Sequence, residues 1–362
     1  MSSVAESSSG GGKAWIGYIV AAGCLVWVFH DVRWSNLFAG VKAMTWWLLV
    51  PAIAADIGSY VAQGARWSLL LRPLGHLSIL KATQAIYAAL FTNEVLPLRV
   101  GEVLRGYLAS RWTSLSMTRI FSSILVERFL DGVWMVLAFG VVVLAVPLPR
   151  YLVDAEVILA FVIFAAAALF IYLVIRKERQ IGEGARPEAA APSGSGGRLS
   201  RLIELVAAAL RSIGGAPSFY GAAALSGLLL VLQVLSFWLV MEAYGMSLSL
   251  WHGAAVFLIV HLGTMVPSAP SNLGTYQFFT VLGLMLFDVD KTVATGFSVV
   301  VFLILTIPLW IVGLVAFGRA GLDLRTVREE AANLTKHWRS PAAAIRSEPA
   351  GATGGDGDSV GD

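Results

Sequence analysis

Charge is scarce in this chain. Only 14% of its 362 residues are Asp, Glu, Lys or Arg, against about 25% in an ordinary soluble domain. A soluble fold of this composition lacks the polar groups needed to cover its own surface. Cysteine is nearly absent as well. Cys24 stands alone, which excludes a disulfide framework and a cysteine metal cluster within one chain. Ala21-Ala22-Gly23-Cys24 has a faint likeness to a lipoprotein cleavage site, but the apolar run continues through Leu25, Val26, Trp27 and Val28, and Ala stands at position 21 where Leu is usual. A buried helical thiol is the expectation. This first apolar segment also lacks a polar cleavage region, so it reads as a retained span rather than a signal peptide. Enzyme signatures are missing too. There is no G-x-x-x-x-G-K-[ST], no H-E-x-x-H and no paired His/Cys ligand spacing, so neither catalytic residues nor a metal nor a cofactor is expected. The net charge of +3 is small and its basic residues are scattered. They read as membrane-orienting charges and not as a nucleic-acid patch.

What the chain has is apolar length. Hydrophobic residues make up 57% of it, gathered in long blocks, which favours lipid over a large soluble core. Twelve Trp and nine Tyr suit interfacial belts. A helix needs about 20 residues to cross the hydrocarbon. On that template full spans are expected near 14–31, 46–71, 118–147, 154–175, 217–243 and 293–318. Two further apolar stretches are interrupted: 77–110 around Asn93-Glu94-Val95-Leu96-Pro97, and 250–287 around Pro267-Ser268-Ala269-Pro270-Ser271-Asn272. Residues 1–13 are Ser/Gly-rich and expected to be disordered, as is much of the tail over 319–362. Residues 176–215 read as a cytoplasmic linker between halves, Gly/Ala/Ser/Pro-rich over 180–200 and weakly amphipathic over 199–213.

Basic residues orient the spans. Arg176, Lys177, Arg179, Arg186, Arg198, Arg201 and Arg211 fill the central loop, and Arg319, Arg325, Arg328, Lys336, Arg339 and Arg346 follow the last span. Both regions belong in the cytoplasm, with both termini. The short loops near 148–153, 244–249 and 288–292 carry only Arg150 and Lys291 and belong outside. On this assignment 77–110 enters and leaves on the cytoplasmic side, and 250–287 on the outer side. Each becomes a re-entrant hairpin whose break lies at membrane depth, where irregular backbone is tolerated only inside protein or beside a wet cavity. The order span, hairpin, span then occurs twice with opposite orientation, the inverted-repeat plan of many transporters. Two ordinary pairs of short helices remain the alternative. The expected fold is all-α: a polytopic integral membrane protein with about six full spans and two oppositely oriented hairpins.

Three polar clusters interrupt the apolar sequence. The first runs from Asn93 to Arg105 and holds Glu94, Arg99, Glu102 and Arg105. Charges there are costly unless paired or wet. In a helix after Pro97, Arg99, Glu102 and Arg105 fall at i, i+3, i+6 and can pair. A guanidinium fork suits phosphate, so this cluster either offers arginine to an anionic head group or neutralises itself to permit burial. The second is Glu127-Arg128-Phe129-Leu130-Asp131, in which Arg128 can reach Asp131. It forms part of a polar cavity or an ion pair that locks helix packing. The third is the 267–277 stretch, with Ser271, Asn272, Gly274, Tyr276 and Gln277. Ser271 or Asn272 can cap a half-helix beginning near Leu273, whose N-terminus is a ready anion site; the alternative is a tight loop. Asp56, Arg66, Gln233, Glu242, His252 and His261 occur singly. Asp56 and Gln233 could face a cavity, the histidines read as packing, and Arg66 and Arg72 read as interfacial anchors.

Leu98-Arg99-Val100-Gly101-Glu102-Val103-Leu104-Arg105, Val126-Glu127-Arg128-Phe129-Leu130-Asp131 and Ser268-Ala269-Pro270-Ser271-Asn272-Leu273-Gly274-Thr275-Tyr276-Gln277 resemble three hallmark stretches of the flippase-like transmembrane region of lysylphosphatidylglycerol synthases. The resemblance covers most of 14–318, which delimits one transmembrane domain. For the two-domain members the resemblance implies movement of an aminoacylated phospholipid between leaflets, with other relatives tied to polyprenyl- or glycan-lipid pathways. Carried over by position, Arg99, Glu102, Arg105, Glu127, Arg128 and Asp131 match the patterned polar residues. The family often has Gly-Gly where this chain has Ser271-Asn272, and Glu where it has Gln277, so the substrate need not be shared. The expectation is an inner-membrane protein, not an enzyme, that binds and translocates an anionic lipid or lipid-linked head group. The alternative is a non-transporting partner of a lipid-modifying enzyme or glycosyltransferase.

Overall fold

The computed structural model describes residues 11–33, 40–95, 100–182, 208–265 and 269–321. The expectations for 1–10, for 183–207 of the linker and for the tail beyond 321 lie outside the described residues, as do positions 96–99 and 266–268. Among the described residues every regular element is helical. In chain order these are α1 (Gly11–Phe29), α2 (Leu49–Leu71), α3 (Ile79–Val95), α4 (Gly101–Thr113), α5 (Met117–Ala145), α6 (Arg150–Gly182), α7 (Ser218–Ala243), α8 (Leu250–Gly263), α9 (Thr275–Met285) and α10 (Lys291–Arg319). One-turn 3-10 helices precede α2 at Trp46–Leu48 and α9 at Pro270–Asn272.

Among the described residues four segments are long and apolar enough to cross a membrane: Trp46–Leu71, Met117–Ala145, Ser218–Ala243 and Lys291–Arg319. They coincide with four of the expected spans. The span expected at 14–31 falls on α1, whose apolar part Gly17–Phe29 is shorter. The one expected at 154–175 lies inside α6, a helix of 33 residues. Large apolar side chains face outward, with Leu144 90% and Phe161 73% exposed, as lipid-facing surfaces require. Inside, α1, α2, α7, α8, α9 and α10 share a core around Val28, Leu49, Phe237, Val256, Val281 and Phe297. Phe297 meets Phe237 edge-on at 5.5 Å between ring centres.

The two interrupted stretches are pairs of short helices. α3 has 17 residues and α4 13, while α8 has 14 and α9 11. At ~1.5 Å per residue none reaches the ~30 Å of a hydrocarbon core. A side-chain clasp closes the first pair: the Gly101 N–H donates to Asn93 Oδ1 at 2.8 Å. Gly101 lies against the Ala89 carbonyl so closely that a Cβ would overlap it. The second pair restarts at Thr275, later than the expected start near Leu273. Ser271 and Asn272 instead take left-handed backbone, φ 59° and 50°. Gly274, at φ 91°, provides the turn into α9, and its N–H donates to Gln277 Oε1 at 2.7 Å. The cap is therefore Gly274 with Gln277. Positive φ suits glycine there, and its missing Cβ leaves room for the Ala21 carbonyl of α1.

α2 and α7 form the most extensive helix pair. Their contacts run in opposite directions: Thr45 N–H to the Ala243 carbonyl at 2.8 Å, Ser236 Oγ to the Ala52 carbonyl at 2.8 Å, and Arg66 Nη1 to Ser226 Oγ at 3.1 Å. The two helices are thus antiparallel. Packing partners also correspond under exchange of α2–α5 for α7–α10. α2 touches α3, α5 and α10 as α7 touches α8, α10 and α5; α3 touches α4 and α10 as α8 touches α9 and α5; and α4 meets α5 as α9 meets α10.

Candidate functional site

Three helices bring the charged residues together. Arg66 comes from α2, Glu102 and Arg105 from α4, and Glu127, Arg128 and Asp131 from α5. On α5 the i, i+3 spacing puts Arg128 Nη1 3.2 Å from Asp131 Oδ2. On α4 the same spacing puts Arg105 Nη2 2.9 Å from Glu102 Oε2. This second contact is an ion pair without hydrogen-bond alignment, since both atoms are buried and lack a hydrogen-bond partner.

Glu127 is the hub. It is fully buried and accepts from Arg66 Nη2 at 2.8 Å, Arg105 Nη1 at 3.0 Å and Gln63 Nε2 at 3.2 Å. Arg66 also binds Asp131 and Ser226. Arg105 lies over the Trp67 ring, 4.7 Å from its centre, and Trp67 Nε1 donates to Ser123 Oγ at 3.1 Å. Three guanidinium groups face three carboxylates, so the cluster is neutral as a whole. Neutrality and dense hydrogen bonding are what permit ions at this depth.

The cluster grades from sealed to open. Arg66 and Arg105 are 0% and 2% exposed, whereas the Asp131, Glu102 and Arg128 side chains are 28%, 39% and 50% exposed. Glu102 spans the open and sealed sides: Oε2 faces buried Arg105, and Oε1 accepts from half-exposed Arg128 Nη2 at 2.7 Å. Arg105 Nε, like Nη2, has no hydrogen bond.

Arg66 corrects an expectation. It is not an interfacial anchor but a sealed member of the ionic cluster. A charge inside a span is a functional candidate by default, and the run Gln63-Gly64-Ala65-Arg66 offered that signal. Ser226 and Ser123 gave no comparable signal. Arg99 lies outside the described residues. The other candidates gather where the two interrupted stretches meet. Ser271 Oγ donates to the Glu94 carbonyl at 3.2 Å, and Trp310 Nε1 donates to Glu94 Oε2 at 3.2 Å. Thr275 Oγ1 donates to the Asn272 carbonyl at 3.0 Å, and Tyr276 packs on Phe302 with ring centres 5.5 Å apart. His252 packs on Phe287 and His261 on Phe257. Among the described residues no group of three His, Cys, Asp or Glu could hold a metal ion.

Apolar spans of membrane length, outward-facing aliphatics and a neutralised ion cluster inside the bundle define a multi-pass helical membrane protein. It belongs to the lysylphosphatidylglycerol synthase TM region family, whose model matches residues 14–313. This is a family of membrane proteins connected with lipid modification. No curated protein matches the chain.

Proposed function

We propose that this protein binds the head group of an anionic phospholipid or lipid-linked substrate and moves it between leaflets of the bacterial inner membrane. The observation that carries this reading is the seat of Glu102. Its carboxylate bridges sealed Arg105 and half-open Arg128 at 2.9 and 2.7 Å. A phosphate has the charge and oxygen spacing to take that seat. Glu102 is then an internal anion that a head group displaces, and two planar guanidinium forks receive the incoming oxygens. Arg105 has donors left for this, since Nε and Nη2 make no hydrogen bond. Glu127 stays behind and holds Arg66 and Arg105 in place. Arg99, adjacent in sequence, adds a further guanidinium in this proposal.

The transport half of the reading rests on symmetry. α2–α5 and α7–α10 form two inverted repeats, α3–α4 and α8–α9 are re-entrant hairpins, and α1 and α6 bring the full spans to six. The antiparallel α2–α7 pair and the matching packing partners support this plan, because a two-fold axis in the membrane plane reverses equivalent helices. Both termini then lie in the cytoplasm. Glu94, Ser271, Asn272, Gly274, Tyr276 and Gln277 form a second wall where the hairpin breaks meet.

The test uses protein reconstituted in vesicles with labelled phosphatidylglycerol. Arg128→Ala removes one charge-assisted contact, worth about 1.5–3 kcal/mol, and slows translocation by roughly tenfold or more. Glu102→Gln removes the competing anion and tightens head-group binding. If both variants fold and neither changes binding or transport, the assignment fails. Binding without movement in the unmodified protein leaves the non-transporting partner instead.

A further inference from the structure

One buried acid stands apart from the ionic cluster. Asp56 lies on α2, ten residues before Arg66, or ~15 Å along the helix axis. It is 6% exposed. Its backbone carbonyl accepts from Ser59 Oγ, but its carboxylate has neither hydrogen bond nor ion pair among the described residues. Of the cations on the helices around α2, Arg119 of α5 and Arg319 at the end of α10 are exposed, and others are committed elsewhere. Arg66 belongs to the cluster, Lys81 lies 5.9 Å from the Trp112 ring centre, and Lys291 donates to the His30 carbonyl at 3.1 Å. α7 and α9 contain no Lys or Arg, and α10 carries no titratable residue between Lys291 and Arg319. α7 carries none between Tyr220 and Glu242, and at this level presents Leu232 to Gly58. Glu127, Arg128 and Asp131 of α5 belong to the cluster at the Arg66 level.

Three phenols feel the charge of Asp56: Tyr60 on α2, Tyr87 on α3 and Tyr276 on α9. Glu94 at the end of α3 is within reach of Tyr60. The rings of Tyr60 and Tyr87 stand 5.4 Å apart between centres. The Tyr87 hydroxyl is buried without a hydrogen-bond partner. An uncompensated carboxylate in such a place is costly unless it takes up a cation. A single carboxyl among phenols offers too few oxygens for a metal ion. It suits a proton, because a carboxylic acid gains an O–H that a phenol oxygen can accept.

We propose that Asp56 is a proton-binding site where α3 packs on α2, and that its loading holds the first interrupted helix pair closed against α2. On loading, the carboxylate takes a proton from a hydronium ion and releases water. On unloading, the acid returns that proton to water. Unloading needs water at the carboxyl, which parting of α3 from α2 admits. Proton loading therefore favours the packed arrangement and unloading the open one. The coupling of this step to lipid movement rests on the transport reading above; proton binding itself does not.

The experiment has two arms. In the first, infrared difference spectra of the full chain in lipid are recorded across pH. The expected result is a protonated-carboxyl stretching band that is lost as pH rises and is missing in Asp56→Asn. A band unchanged by Asp56→Asn, or one that responds to sodium and not to pH, overturns the proposal. Should Asp56→Asn not fold, Asp56→Glu and Tyr87→Phe take its place: each must shift the band, and no shift in either overturns the site. In the second arm, translocation is measured under pH gradients of opposite sign. Wild type should change rate on reversal and Asp56→Asn should not. Equal rates in wild type under both signs overturn the coupling. A proton band at Asp56 with no lipid movement under any condition would sink the transport reading alone.

Discussion

Arg66 and Glu127 are 61 residues apart in sequence and on different helices, yet their side chains meet at 2.8 Å, sealed from the surface at 1% and 0% exposure. Each needs the other to be buried. Removing one partner of such a pair leaves a charge in low dielectric, at about 3–5 kcal/mol. Arg66→Ala should therefore destabilise the protein by roughly that amount, whereas Arg72→Ala, outside the cluster, should be nearly neutral. Unfolding in detergent, followed by thermal melting and by monodispersity on gel filtration, measures both. Equal melting of Arg66→Ala and wild type would contradict the hub at Glu127.

Glu102 and Arg128 separate packing from recognition. Their 2.7 Å pair is half-open to the surroundings, so its contribution to stability is small, about 0–1 kcal/mol. The charge swap Glu102→Arg with Arg128→Glu keeps the pair but reverses which helix holds the cation. The swapped protein should melt below wild type, because position 102 also faces Arg105 and position 128 also faces Asp131. It should also lose affinity for anionic vesicles, read by co-sedimentation with phosphatidylglycerol against phosphatidylcholine. Retained preference for the anionic vesicles would show that the orientation of this pair does not select the head group.

Local periodicity carried part of this site and tertiary packing carried the rest. The pairs Glu102–Arg105 and Arg128–Asp131 were legible because residues at i, i+3 share a helix face. Four spans were legible because bilayer thickness dictates apolar length. Arg66 was not, because its meaning depends on α5 and α7. Its place in the last third of α2, near Arg72, imitates a snorkelling anchor. The start of α9 was misjudged for a different reason. Ser271 and Asn272 have good capping side chains, but both adopt left-handed backbone, and the positive φ at Gly274 sets the turn instead. A lone Asp56 could be noticed in sequence, but its lack of a cation could only be seen once the helices packed on α2 were placed.

Asn93 and Gly101 hold the first helix pair shut. The Asn93 amide oxygen takes the first free N–H of α4, as a cap would, and such caps contribute about 0.5–2 kcal/mol. Asn93→Ala should lose stability within that range. Gly101→Ala should cost more, because its Cβ meets the Ala89 carbonyl, which belongs to backbone and cannot swing away. Hydrogen exchange should rise over 89–105 in both variants and stay unchanged in α7. Uniform change across the bundle would mean that the clasp is not local.

The flanks of the interrupted stretches decide the topology. In a Cys24→Ser background, single cysteines at His76 and Trp112 bracket α3–α4, and those at Ser247 and Asp288 bracket α8–α9. The four outer ends of the two hairpins follow one rule: a re-entrant pair returns its chain to the side it came from. Membrane-impermeant maleimide should therefore label 76 and 112 only from the cytoplasmic face, and 247 and 288 only from the outer face. If α3 and α4 together crossed once as a broken span, 76 and 112 would label from opposite faces. The symmetry-related result would hold for 247 and 288. That outcome would leave the ionic cluster intact but remove the inverted repeat, and with it the reason for placing both helix breaks in one chamber.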